Sequence, residues 1–111
     1  MKAEIFNLAK TPETVLYRLC SLGGLEEMGR AVVPGYYEKV WSGWLTIGPR
    51  GQAPEQILED ILRASREGIL KHIRPVLVSD VILLDGTAWY CDSIGWEKIE
   101  WPGPGGDTDG D

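Results

Sequence analysis

The stretch that most constrains this chain is 54–67. Pro54 stands where a first helical residue belongs, because the N–H it lacks would have no partner there. Glu55, Glu59 and Asp60 come early and Arg63 and Arg66 late, an order that complements the helix dipole. Ile57, Leu58, Ile61 and Leu62 fall on one stripe, and Gly68 supplies a stop. The spacing predicts a helix over 54–67 whose apolar side needs a sheet to cover.

The rest of the sequence reads mostly as that sheet. Over 2–8, Ala3, Ile5 and Asn7 alternate with Glu4, Phe6 and Leu8, which suits an opening strand buried at least in part. The segment 14–20 reads two ways. Thr11 and Pro12 suit a helix start, yet Val15, Tyr17 and Leu19 alternate with Leu16, Arg18 and Cys20, and we take it as a strand. Leu22, Leu25 and Met28 are spaced for a second short helix over 21–29, closed by Gly29 and weakened by Gly23 and Gly24. The run 36–47 is aromatic and β-branched and predicts a long strand, with a bulge at Gly43. Residues 81–84 and 88–91 flank a tight turn at Asp85-Gly86, and 96–101 returns after it, giving a three-stranded meander. The expected fold is α+β: a mixed, mostly antiparallel sheet of about five strands, with the 54–67 helix across one face. Residues 1–101 read as one globular domain and 102–111, PGPGGDTDGD, as a disordered acidic tail.

At 111 residues and 43% hydrophobic, the chain has the apolar mass to close one core without staples. No run approaches the roughly 20 apolar residues of a membrane span, so a cytoplasmic protein is expected. Half of the net charge of −6 belongs to the three Asp of 102–111, which leaves the globular part only mildly acidic. A nucleic-acid binder normally shows a basic excess, so nucleic acid fits poorly; self-association stays compatible with the composition. Cys20 and Cys91 share no CxxC spacing and His72 is the lone histidine, which argues against a zinc site. In a reducing compartment both cysteines serve as small buried apolar residues, a disulfide between them being the lesser alternative.

Catalytic chemistry finds little footing. His72 lies between Lys71 and Arg74, cationic surroundings that suit a catalytic base poorly, and reads as an ordinary surface or helix-end residue. Asp80, Asp85 and Asp92 sit at strand ends, where Asp normally serves turns and caps. No Gly-rich loop links a strand to a helix, and no cofactor or metal is expected. Two constellations remain. Trp41, Trp44, Trp89, Trp96 and Trp101, with Tyr36, Tyr37 and Tyr90, are too many for one face of a sheet, and Trp44, Trp89, Tyr90 and Trp96 are the expected partner-binding anchors; a thick aromatic core is the competing reading. Arg63, Arg66, Lys71 and Arg74 form a possible basic patch at the helix end.

Residues 77–84, LVSDVILL, and 88–96, AWYCDSIGW, resemble the YodL-like domain, whose pattern has a "SVSDVVVL" strand followed by "YYVDSxGF". Residues 37–45, YEKVWSGWL, and 57–62, ILEDIL, are similar to the "YELVYxGxL" strand and "TLEDIFxxF" helix of that family, and 13–19 is similar to its "ETRDYRF" segment. The likeness spans 5–101; Trp96 stands where Phe is commoner, and Arg74-Pro75 where the family often has His-Ser. The resemblance implies a domain of Gram-positive bacteria, mobile elements and phages, with no enzymatic activity attached and no catalytic residue to carry over. The function expected is therefore a non-enzymatic protein-binding or regulatory domain acting on an unknown protein partner. The alternatives are a nucleic-acid-related or anti-restriction accessory factor and a small hydrolase built on Asp80, Asp85 and Asp92.

Overall fold

The computed structural model describes residues 1–46, 51–70 and 72–102. Residue 47 of the expected 36–47 strand, residues 48–50, Lys71 of the expected basic patch and residues 103–111 of the expected acidic tail lie outside the described residues.

Five strands, β1 (Lys2–Leu8), β2 (Tyr37–Trp44), β3 (Val81–Leu84), β4 (Thr87–Cys91) and β5 (Trp96–Ile99), form one sheet in the order β2-β1-β3-β4-β5. Among the described residues the α-helices are α1 (Leu22–Glu27) and α2 (Pro54–Arg66). All four strand pairings are antiparallel. The connection from β2 through α2 to β3 does join two strands of the same direction, but β1 lies between them, so the parallel relation expected of a mixed sheet never becomes a hydrogen-bonded pair.

The sequence of β3 explains its place. All four of its side chains are buried, because the sheet is covered on both faces and a strand inside it has no solvent side. On one face Ala3, Ile5, Ile82, Leu84, Trp89 and Trp96 meet Ile57, Leu58, Ile61 and Leu62 of α2. Burying those four aliphatic side chains contributes about 6–12 kcal/mol before entropy is charged against it. Ser65 extends the contact: its hydroxyl donates to the Leu62 carbonyl (2.8 Å) and accepts from the Val76 amide (3.0 Å), fastening the approach to β3. On the other face Leu8, Val81, Leu83, Ala88 and Tyr90 pack under Tyr17 and Leu25, which come from the chain between β1 and β2.

That intervening chain departs from the sequence reading. Residues 14–20 are not a strand. A 3-10 turn runs through Pro12–Thr14, where the Thr14 hydroxyl donates to the Ala9 carbonyl (2.5 Å) and accepts from the Thr11 amide (3.2 Å), and the following residues continue as turns. A strand here would need a partner, but β1 is already paired on both sides. Val15, Leu16 and Leu19 consequently face solvent, while Thr14 and Tyr17 are buried and Cys20 packs partly against the core.

The bulge is displaced too. Ile5 pairs with Trp41 and Phe6 with Lys39, so Val40 is the extra residue of β2. Gly43 has a different role: a Cβ there would lie 2.8 Å from the Trp41 indole, which occupies the space a side chain would take. The β3–β4 turn follows the sequence reading, with Asp85 and Gly86 at φ +48° and +86°, the left-handed pair that matches hairpin twist.

Candidate functional site

Three of the four expected anchors are core residues. Tyr90 is fully buried and donates its hydroxyl proton to the Cys20 carbonyl (2.6 Å). Trp89 and Trp96 are 8% and 9% exposed, under α2, and the Trp96 indole N–H donates to Glu59 Oε2 (2.7 Å). The reason is topological: β4 is flanked by β3 and β5 and covered on both faces, so neither parity of its alternation reaches solvent. Trp44, at the end of edge strand β2, is the exception at 78% exposure.

Of the expected basic patch Lys71 lies outside the described residues, and the three arginines are engaged differently. Arg63 pairs with Asp60 one turn back along α2 (3.1 Å), Arg66 is exposed at the helix end, and Arg74 turns inward onto Asp80. The Asp80 carboxylate, with no solvent exposure, accepts from both Arg74 Nη atoms (2.6 and 2.8 Å) and from the amides of Leu8 (2.9 Å) and Leu77 (2.8 Å). Arg74 also donates to the Leu8 carbonyl (3.3 Å). This clamp ties the end of β1 to the entry of β3. Asp85 caps the far end of the hairpin by accepting from the Lys2 amide, and Asp92 accepts from the amides of Leu22 and Ser93. The three aspartates thus serve separate turns and do not converge, β3 alone setting Asp80 roughly 15 Å from Asp85.

What the fold does bring together is a cleft around the clamp, and sequence reasoning missed it. One cavity of about 160 Å³ is walled by Leu19, Leu77 and Val78 and rimmed by Lys10, Arg18 and Arg74. A second, of about 420 Å³, shares Lys10 and Arg74 with it and is lined further by Asn7, Glu38 and His72. Among the described residues Lys10 and Arg18 form no salt bridge, so their charge is turned to solvent in a chain of net charge −6. Asn7 is 5% exposed, and its Nδ2 has no hydrogen-bond partner among the described residues.

The backbone is strained at the same place. Among the described residues four non-glycine residues have positive φ: Asp85 in the hairpin turn, and Leu19 (+60°), His72 (+67°) and Ser79 (+90°). The last three all line these two cavities. Each such conformation costs about 1–3 kcal/mol and persists where surrounding contacts over-determine it. For Ser79 the contacts are plain: its carbonyl accepts from the Tyr37 hydroxyl (2.7 Å), its amide donates to the Cys91 carbonyl (2.9 Å), and its Oγ accepts from the Leu19 amide (3.2 Å). The Tyr37 phenol, in this desolvated setting, is raised above its ordinary pKa of 10.0 by burial first and by the neighbouring Tyr90 and Asp80 second.

Both cysteines are free, Cys91 buried and Cys20 half-buried. Among the described residues no cluster of three or more His, Cys, Asp or Glu side chains is placed to hold a metal, and no helix is long and apolar enough to cross a membrane. Comparison with protein-family models, with curated proteins and with solved structures finds no match to this chain.

Proposed function

We propose that this is a non-enzymatic, partner-binding domain whose binding site is the cleft between residues 10–19 and 72–79. The observation that carries the reading is the coincidence of Leu19, His72 and Ser79, strained in the left-handed region, with adjoining cavities whose rim holds Lys10 and Arg18, cations with no salt bridge among the described residues. Strain of this kind clusters at ligand clamps and switch regions, and here it sits beside the clamp that holds β1 to β3. Exposed Trp44 offers a second contact at the sheet edge. We further propose that the chain is a YodL-like domain, because β2, α2 and the β3–β4 hairpin occupy the segments that carry that resemblance.

The test is site-specific photo-crosslinking from the full chain in the cells that express it. A benzophenone side chain at Leu19 should give one defined protein adduct, and the same group at Glu97, exposed on β5, should give none. Equal labelling from both positions, or no adduct from Leu19, would overturn the assignment of the cleft.

A further inference from the structure

Resting on the reading of the cleft as a partner site, we infer that its occupant is an extended acidic segment of a partner protein, in which an apolar side chain stands next to a carboxylate. The smaller cavity sets the apolar half. Its walls are Leu19, Leu77 and Val78, and about 160 Å³ accommodates one aliphatic side chain with little to spare. Polar contacts are absent from those three side chains, so the gain there comes from removing a Leu-sized group from water.

Charge sets the other half. Lys10 lines both cavities and Arg18 the smaller one, and neither has a carboxylate partner among the described residues. Arg74 does not compete for the ligand, because its Nη atoms are committed to Asp80 and to the Leu8 and Pro75 carbonyls. It contributes instead a fixed wall. Beyond Lys10 lies Asn7, whose buried Nδ2 lacks an acceptor among the described residues and which lines the larger cavity. That nitrogen has less than 1 Å² of exposed surface, so it is a cost carried by the fold and not a contact for the ligand. A carboxylate answers the charge of Lys10 and Arg18 at the rim of the smaller cavity, while an apolar neighbour one residue away fills that cavity. A polyanion fits less well: Glu38 lines the larger cavity, and the chain's net charge of −6 opposes a ligand whose charge repeats along its length.

The experiment uses fluorescein-labelled six-residue peptides, Gly-Ser flanking one Asp-Leu or Leu-Asp pair, with fluorescence anisotropy against the full chain. At least one order should bind. Replacing its Asp by Asn, its Leu by Ser, or using Lys10→Glu/Arg18→Glu protein should each weaken binding by about tenfold or more, equivalent to about 1.4 kcal/mol. Binding should also weaken steeply between 0.15 and 1 M salt, as the screening length falls from about 8 to about 3 Å. Both cations are exposed, so the double variant should keep the wild-type melting temperature, which separates lost binding from lost folding. The inference is overturned if the Asn peptide binds as well as the Asp peptide, if inorganic phosphate or a single-stranded oligonucleotide displaces the peptide at equal concentration, or if neither order binds. In the last case a Leu19 crosslink to a partner would leave the partner-site reading standing and retire only the acidic ligand.

Discussion

Asp80→Asn is the substitution that most sharply tests the account of this fold. Asn has almost the shape of Asp, so the change removes charge and acceptors and leaves packing alone. Of the four hydrogen bonds the carboxylate accepts, the amide oxygen keeps two, and the NH₂ group turns a donor toward the two remaining donors. Bonds to a charged group contribute about 1.5–3 kcal/mol each, which gives about 3–6 kcal/mol. The Arg74 side chain retains 30% exposure, so water takes up part of its uncompensated charge, and we expect the lower end, about 3 kcal/mol. The assay is equilibrium urea unfolding; with m of about 1.5 kcal/mol/M the midpoint should fall by about 2 M. Arg74→Met should cost about 3–5 kcal/mol, because it strands a carboxylate with no solvent exposure. The double variant should cost less than the sum by about 2 kcal/mol. Asp60→Asn is the control, since the exposed Arg63 pair contributes less than about 0.5 kcal/mol. An Asp80→Asn loss under about 1 kcal/mol, or additivity in the cycle, would refute the claim that this clamp joins β1 to β3.

Two further outcomes follow from burial. Trp96→Ala should cost about 3–5 kcal/mol by thermal or urea unfolding, whereas Trp44→Ala should stay within about 0.5 kcal/mol; the reverse ranking would mean that the sheet faces are assigned the wrong way round. Burial pushes the Cys91 thiol from its ordinary 9.0 up to about 11 and raises the Tyr37 and Tyr90 phenols above their ordinary 10.0. The unfolded chain then releases these protons before the folded one does, so stability is complete below pH 9 and falls as pH rises from 9 through 11, with the phenols joining above 10. Urea midpoints between pH 8 and 11 check this, and Cys91→Ala should flatten the first part of the decline; an unchanged slope in that variant would place the titration elsewhere.

The elements that were legible in the sequence are those whose pattern is set by local periodicity or by one turn. The helix Pro54–Arg66 was readable because the stripe Ile57, Leu58, Ile61 and Leu62 has a single period, and the hairpin because Asp85-Gly86 names its own turn. The segment 14–20 was not, because alternation alone cannot say whether a strand will find a free edge. Both edges of β1 were taken by partners lying some 35 and 75 residues further on. The aromatic residues failed in the same way. Period 2 says which side of a strand a Trp faces, but only the order β2-β1-β3-β4-β5 and the layers laid over it decide that Trp89, Tyr90 and Trp96 are enclosed while Trp44 is not.

By itself, then, the sequence determined the α+β class, the main helix, the hairpin and the meander, since each depends on interactions within about 20 residues. Tertiary structure alone decided the cleft. Lys10, Arg18 and Leu19 meet Arg74 and Ser79 across some 60 residues of chain, and nothing in either segment announces the other. The physical reason is that Asp80, though paired with the nearby Arg74 and Leu77, completes its set of donors only with the Leu8 amide from the far end of the chain. Only when β1 docks beside β3 do the Leu8 amide and carbonyl join the Arg74–Asp80 pair, and the strained residues that line the cavities lie around the same clamp.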